Sequence, residues 1–547
     1  MLWTLLLACD TAAPADAASP PPIELGPLVE CADPVAGIDR LTEAGQARGL
    51  VTGPVAQPSR RACNLVPGTV IAEDLDGDGD PDVVLRSPDG LPAVYWNLDG
   101  QLLPLVNELP SPDPDRELYG VAAVDLTGDD LPELLVTGQG LLAMAPNLGE
   151  LTWGPWELLV DLPEFPRSCH QTVSWGDVDQ DGDLDLILPA SDRVDDADTP
   201  GSGDPPWVAG THLLLLQDQG AFEVVPLPEP ETGGTLSLLG SAIRWNDRTG
   251  VLIGADRTFA NGDALGWYEW VDDKACDLTS SVGLGHGVDA MGLTSTDLDR
   301  DGVLDRCMSD QAPALVCLSE SDHGALDRGP AMGLSVDFDD HPEIFDDQDT
   351  TDLRAAWTGW SVEAVDLDND GWEDVAVVAG PPPNEGSVAY TPVPDFQPDR
   401  LYQGGPQGFT DVSAAVGFQD AASHYGMASA DLDGDGWREL IVAGFQTDPQ
   451  VWDNPCGASA WAAIDLVGPA GNRSATGAQI RVTAGDDTWT QELLGQRTAG
   501  QSPSTLHVGL GDHEQIDRLE VLWPEGGITE YTDVPVRRTI TVSHPER

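Results

Sequence analysis

The chain has 547 residues, 94 acidic against 25 basic, for a formal charge of −69, and 41% of them are hydrophobic. That apolar share supports a buried core and excludes wholesale disorder, while the length exceeds one ordinary core. So acidic a surface repels phosphate backbones and anionic headgroups, which excludes nucleic acid and direct membrane-surface partners.

The chain opens MLWTLLLAC, and Leu6-Leu7-Ala8-Cys9 resembles a bacterial lipobox. The resemblance implies export, lipidation at Cys9 and membrane association through a lipid anchor, since so short an apolar run cannot span a bilayer. Residues 10–22, rich in Ala and Pro, read as a tether, so 1–22 form one unit of signal and tether. Of the remaining cysteines, Cys307 and Cys317 flank a predicted hairpin, and Cys31 and Cys63 bracket the N-terminal segment. Both pairs are disulfide candidates in an exported chain, with connectivity left open.

From about residue 70 one pattern recurs: an apolar run, an Asp-rich nonapeptide, then a second apolar run. The nonapeptides begin at Asp74, Asp125, Asp177, Asp297, Asp366 and Asp431, at separations of 51, 52, 120, 69 and 65 residues. The long gap holds a seventh strand–turn–strand copy near Asn246 that lacks the acids. Each copy continues into further short β-type runs, and no long 3.6-residue period stands out. Four strands per copy and seven copies predict a seven-bladed β-propeller over 23–456, with a small β domain over 457–547. The first loop-bearing blade is expected near 70–110 and the metal-free one near 236–272.

In the first loop Asp74, Asp76, Asp78 and Asp82 supply acids at positions 1, 3, 5 and 9, and Asp80 offers its position 7 carbonyl. Glycine at position 6 permits the sharp turn, and so many hard oxygens suit calcium better than magnesium. The equivalent sets are Asp177, Asp179, Asp181, Asp183 and Asp185; Asp297, Asp299, Asp301, Val303 and Asp305; Asp366, Asp368, Asp370, Trp372 and Asp374; and Asp431, Asp433, Asp435, Trp437 and Glu439. Five structural Ca2+ sites are expected. The loop at Asp125 has Thr127 at position 3 and Asp130 at position 6, so weak or absent metal is expected there. An EF-hand would need a bidentate Glu at position 12, where Leu85 and Leu188 stand instead.

These repeats resemble FG-GAP/VCBS blades, the module of the integrin α-chain propeller, over roughly 60–455. The strings GNRSATGAQIRVTAGD and TAGQSPSTLHVGLGDHEQIDRLEVLWPEGG resemble the ASPIC/UnbV domain that follows such repeats in cartilage acidic protein-like proteins. The resemblance implies an extracellular calcium-binding protein.

The sequence contains no Gly-x-Ser-x-Gly, P-loop, GxGxxG or HExxH string, and the regular carboxylates are assigned to metal. The expectation is a non-catalytic, monomeric scaffold for an extracellular glycan or protein, at the cell envelope or secreted. The alternative is a polysaccharide-acting lyase or hydrolase, or a subunit of one. His170, His286, His424, Tyr119 and Trp360 start the strands that lead into the loops, which places a candidate ligand ring on the face opposite the metals. Residues 337–352 read as a solvated acidic insertion.

Overall fold

The computed structural model describes residues 20–50, 68–161, 170–190, 211–228, 239–254, 265–335, 357–380 and 397–545, apart from short gaps, together with two two-residue strands at 193–194 and 207–208. Cys9, Cys63, Cys169, His286 and the acidic insertion 337–352 lie outside the described residues.

The chain is almost entirely β. Helix is confined to three single turns among the described residues. Among the described residues, seven four-stranded antiparallel units follow one another, each starting with its innermost strand; the first is extended by Gly500–Gln501 and the fifth continues into a larger sheet. Those first strands are Val70–Glu73, Leu118–Val124, Ser174–Gly176, Leu239–Trp245, Leu293–Thr296, Gly359–Val365 and Ser423–Ala430; they are numbered here as sheets 1 to 7. Alternation of side chains across a strand explains how the sheets stack. Val70, Ala72, Val83 and Leu85 of sheet 1 pack with Ala428, Ile441 and Val451 of sheet 7, whereas Ile71 and Val84 pack with Val121 and Val136 of sheet 2. Both faces are buried, which is why runs such as DVVL are continuously apolar. Equivalent clusters join sheets 2 and 3, 3 and 4, 4 and 5, 5 and 6, and 6 and 7, so the ring closes. The chain is a β-propeller.

The copy without acids forms sheet 4. There Asn246 and Asp247, at φ 48° and 60°, turn Leu239–Trp245 directly into Arg248–Gly254. A two-residue turn with two positive φ values is the favoured hairpin connection, so no nonapeptide is needed.

The ring is sealed by the N-terminal segment. Thr42–Glu43 forms the fourth strand of sheet 7 against Trp452 and Asp453. Cys31 does not pair with Cys63: it is bonded to Cys456, across 425 residues of sequence. The candidate bracket failed because the partner of the N-terminal segment is the far end of the ring, a proximity that only closure creates. Cys307–Cys317 joins adjacent strands of sheet 5, and Cys276 is free.

Residues beyond 457 build a core of their own from Ile464, Ile480, Leu510, Leu519, Trp523 and Ile540. One four-stranded sheet combines Glu24–Leu25, Arg538–Ser543, Ala460–Val467 and Thr505–Gly511. The other runs Asp487–Glu492, Gln479–Ala484, Gln515–Leu522 and Ile528–Pro535, and joins sheet 5 where Gln491 pairs with Thr296. The segment after Glu492 enters the hub of the ring. Gly500 and Gln501 lie parallel to Val70 and Ile71. Gln496 donates to Val121 O at 2.8 Å, and Gln501 exchanges two hydrogen bonds with Ala123. Ser502 links Ser429 N to Glu363, and Ser504 donates to Glu73 at 2.9 Å. Gly495 packs so closely on Trp175 that an added Cβ would lie 2.9 Å from its carbonyl. Glu492 accepts from Arg244 N and Ser295 Oγ. The C-terminal domain thus touches the first strand of every sheet.

Candidate metal centres

Each nonapeptide connects the first strand of its sheet to the second, so the loops crowd one face of the ring. The position 1 carboxylate organises the turn by accepting two backbone N–H groups. Gly77 and Gly79 donate to Asp74, Asp301 and Gly302 to Asp297, Asp370 and Gly371 to Asp366, and Asp435 and Gly436 to Asp431, all between 2.7 and 3.1 Å. The position 9 carboxylate staples the loop to the sheet. Asp185 accepts Val178 N at 2.8 Å and Gln217 N at 3.0 Å, and Asp374 accepts Leu367 N at 3.0 Å and Gly404 N at 2.9 Å. Position 5 turns towards position 7: Asp80, Asp183, Val303, Trp372 and Trp437 donate their N–H to Asp78, Asp181, Asp301, Asp370 and Asp435. The position 6 glycines 79, 182, 302, 371 and 436 all have φ between 88° and 97°. An added Cβ would meet nothing within 4 Å at Gly79, Gly182 or Gly302, so there backbone conformation and not space selects glycine.

Five groups of carboxylates converge, with oxygens within 4.8 Å of one another: Asp74, Asp76 and Asp78; Asp177, Asp179 and Asp185; Asp297, Asp299 and Asp305; Asp366, Asp368 and Asp374; Asp431, Asp433 and Glu439. In four loops positions 1, 3 and 9 meet; in the first, positions 1, 3 and 5 do. The Asp125 loop keeps the turn, with Asp130 at φ 70° in the glycine's place, but its acids are not among the converging groups of the described residues.

At the most enclosed positions burial raises the carboxyl pKa, and neighbouring carboxylates raise it further. Asp177 is pushed up to about 7, Asp185 to about 8, Asp297 to about 7 and Asp431 to about 7. Asp366, Asp374 and Glu439 lie well above the ordinary carboxylate range for the same reasons. Asp177 Oδ1 and Asp299 Oδ1 are buried without a hydrogen-bond partner. An all-oxygen donor set with unanswered buried lone pairs fits a hard divalent cation such as calcium.

Two loops already carry an internal cation that sequence reading missed. Arg328 pairs with Asp299 and, at 2.9 Å, with Asp301. Arg48 reaches Asp433 at 2.8 Å and Glu439 at 3.4 Å, and also pairs with Asp453. The available signal was the scarcity of basic residues in so acidic a chain. A third arginine, Arg300, lies between the Trp372 and Trp489 rings at 4.7 and 4.5 Å, joining loop and C-terminal domain.

The expected ligand ring on the opposite face is not open. His170, His424, Tyr119 and Trp360 are all buried. His170 Nδ1 faces Pro189 O at 3.3 Å, and burial lowers its pKa to about 4. His424 Nδ1 lies 2.6 Å from Asp399. Trp360 donates to Gly380 O at 2.8 Å and packs with Tyr425, Met291 and Ala499. Tyr119, Trp360 and His424 are each the second residue of a first strand, His170 lies four residues before Ser174, and burial closes all four to a ligand.

Comparison with known proteins agrees with this architecture. Residues 74–136 match the FG-GAP-like repeat family. The β-propeller described above thus carries FG-GAP-like repeat sequence over these residues. Residues 468–547 match the ASPIC and UnbV family, so its C-terminal domain is an ASPIC and UnbV domain. No curated protein matches. Similar solved structures include a lectin of Agrocybe aegerita that recognises non-reducing terminal N-acetylglucosamine, at 13% identity and a TM-score of 0.34, covering 73% of this chain and 92% of that one. The BP39L lectin of Burkholderia pseudomallei is 13% identical with a TM-score of 0.36, covering 62% and 81%. The Dos1 propeller is 10% identical with a TM-score of 0.36, covering 68% and 74%.

Proposed function

We propose that this protein is an exported, non-catalytic, calcium-binding propeller of seven blades that presents its loop face to an extracellular glycan or protein. The observation that carries the reading is the recurrence of one carboxylate arrangement on five loops of the same face, with buried oxygens left unanswered at Asp177 and Asp299. Bound calcium would neutralise carboxylates that otherwise repel one another across a few ångströms, and would fix each loop against the strands that flank it. Its part is structural. The lipobox-like Cys9 suits attachment to a bacterial envelope, and FG-GAP-like repeats suit an extracellular setting. Isothermal titration of the demetallated full chain with CaCl2, alongside melting curves, tests the reading. Several equivalents of calcium should bind and raise the melting temperature. A chain that takes up no calcium, or whose melting is indifferent to it, would overturn the proposal.

A further inference from the structure

The C-terminal domain meets the propeller on the metal loops themselves. Arg473 donates to Gly128 O of the Asp125 loop at 3.2 Å, Leu184 N of the Asp177 loop donates to Gly471 O at 3.0 Å, and Asp297 N donates to Thr490 O at 3.1 Å. The Asp366 loop is gripped at more points. Gly511 N donates to Asn369 O at 2.8 Å, and Trp489 Nε1 to Gly371 O at 2.9 Å. Asn369 Nδ2 donates to Gly436 O, so its Oδ1 is the acceptor, and His507 Nε2–H answers it at 2.8 Å. Gly509 lies so close to Asp366 that a Cβ would have no room beside Oδ2. Asp366 and Asp374 are only 4% and 1% exposed, whereas Asp78 of the first loop is open to solvent.

We infer that the C-terminal domain is a lid on the Asp366 loop, and that its closure is linked to the calcium occupancy of that loop. The inference rests on the proposed calcium-binding reading and adds a regulation of one site. Asn369 and Gly371, at positions 4 and 6, carry three of the lid's hydrogen bonds. They lie between the ligand positions 3 and 9, so the turn that a cation shapes is the turn the domain grips. The carboxylates of Asp366, Asp368 and Asp374 approach within 4.8 Å of one another. Withdrawn from water under the lid, such charges repel about fourfold more strongly than in bulk solvent. Closing over the bare loop is therefore costly, and closing over a loaded one is not. The linkage is reciprocal: the factor by which calcium favours closure is the factor by which closure tightens calcium. The lid also bars the way out, so a cation held there leaves when the domain lifts, while the first loop exchanges freely.

The test follows calcium release from the loaded full chain into a fluorescent chelator by stopped flow. A slow phase should disappear in Asp366→Asn, and a faster one in Asp74→Asn. Trp489→Phe keeps an aromatic ring but deletes the N–H bonded to Gly371, and should speed the slow phase about tenfold without changing the fast one. Hydrogen exchange of the wild-type chain gives a second reading that needs no variant. Replacing calcium with EDTA should expose the Gly511 amide, while the strand Gln515–Leu522, paired within the domain, stays protected. Release from Trp489→Phe at the wild-type rate, or a Gly511 amide indifferent to EDTA, would overturn the lid. Exchange that spreads through Gln515–Leu522 would overturn it too, since the domain would then unfold and not lift. A chain that takes up no calcium would instead refute the reading on which the lid rests.

Discussion

Asp177→Asn should change sign with calcium. Asp177 is 9% exposed, and burial followed by repulsion from Asp181 and Asp179 raises its pKa from 3.8 to about 7. A carboxylate raised on folding is a burden when ionised: stability is highest below about pH 4 and falls as pH rises through 7. Three units correspond to roughly 4 kcal/mol, an upper value because the loop's acids share the repulsion. Asparagine keeps an oxygen for the Gly182 N–H that the carboxylate accepts, and places an NH2 where Oδ1 has no partner. In chelator at pH 8 the variant should therefore be more stable than wild type by about 1–4 kcal/mol, a gain that disappears near pH 4. In calcium at about a thousandfold over Kd the order should reverse, since one saturated site then contributes about 4.1 kcal/mol that the variant forfeits, as much as the whole gain. Denaturant unfolding of both proteins from pH 4 to 8, with EDTA or with CaCl2, reads each arm. A variant less stable than wild type under both conditions would refute the reasoning.

Loss of the ring-sealing bond in a Cys31→Ser, Cys456→Ser double variant should cost about 2–5 kcal/mol, measured by calorimetry, because it closes so long a stretch of chain. Gly436→Ala should destabilise far more than Gly79→Ala. Both positions have positive φ, which alone costs about 1–2 kcal/mol, but a Cβ at 436 would fall 1.9 Å from the Trp461 ring whereas that at 79 meets nothing. Thermal melts of the pair decide it. Arg328→Gln removes a cation from Asp299 and Asp301 and should tighten calcium at that loop several-fold. Unchanged titration isotherms would show that the guanidinium does not compete.

Much of this fold was legible because it repeats. An Asp-rich turn between two apolar runs reports a tight strand–loop–strand unit wherever it occurs, and the Asn246-Asp247 turn betrayed the unit that lost its acids. The loop geometry was equally local: glycine at position 6 follows from backbone sterics within nine residues. What stayed hidden depends on closure. Cys456 as the partner of Cys31, Arg48 on the Asp431 loop and Gln501 on Ala123 are each separated by hundreds of residues, and no pattern within one repeat encodes them. The His and aromatic positions misled for a related reason. Their place at strand starts was readable, but their burial depends on partners distant in sequence, as when Trp360 packs with Met291, Tyr425 and Ala499, so residues suited to a ligand face became interior packing.

The union of the chain's beginning and end has a consequence for its assembly. Thr42–Glu43 has no partner until Gln450–Asp453 exists, and Glu24–Leu25 has none until Ile540 and Thr541 follow. The first strand of sheet 1 likewise lacks Gly500 and Gln501 alongside it. Made from the N-terminus, the nascent protein therefore carries an open gap with unpaired strand edges throughout most of its synthesis, the condition that invites wrong pairing between molecules. A late, long-range closing step makes folding slow. The dense negative charge then has a second value: it keeps half-made copies apart until residues 450–541 arrive to lock the circle.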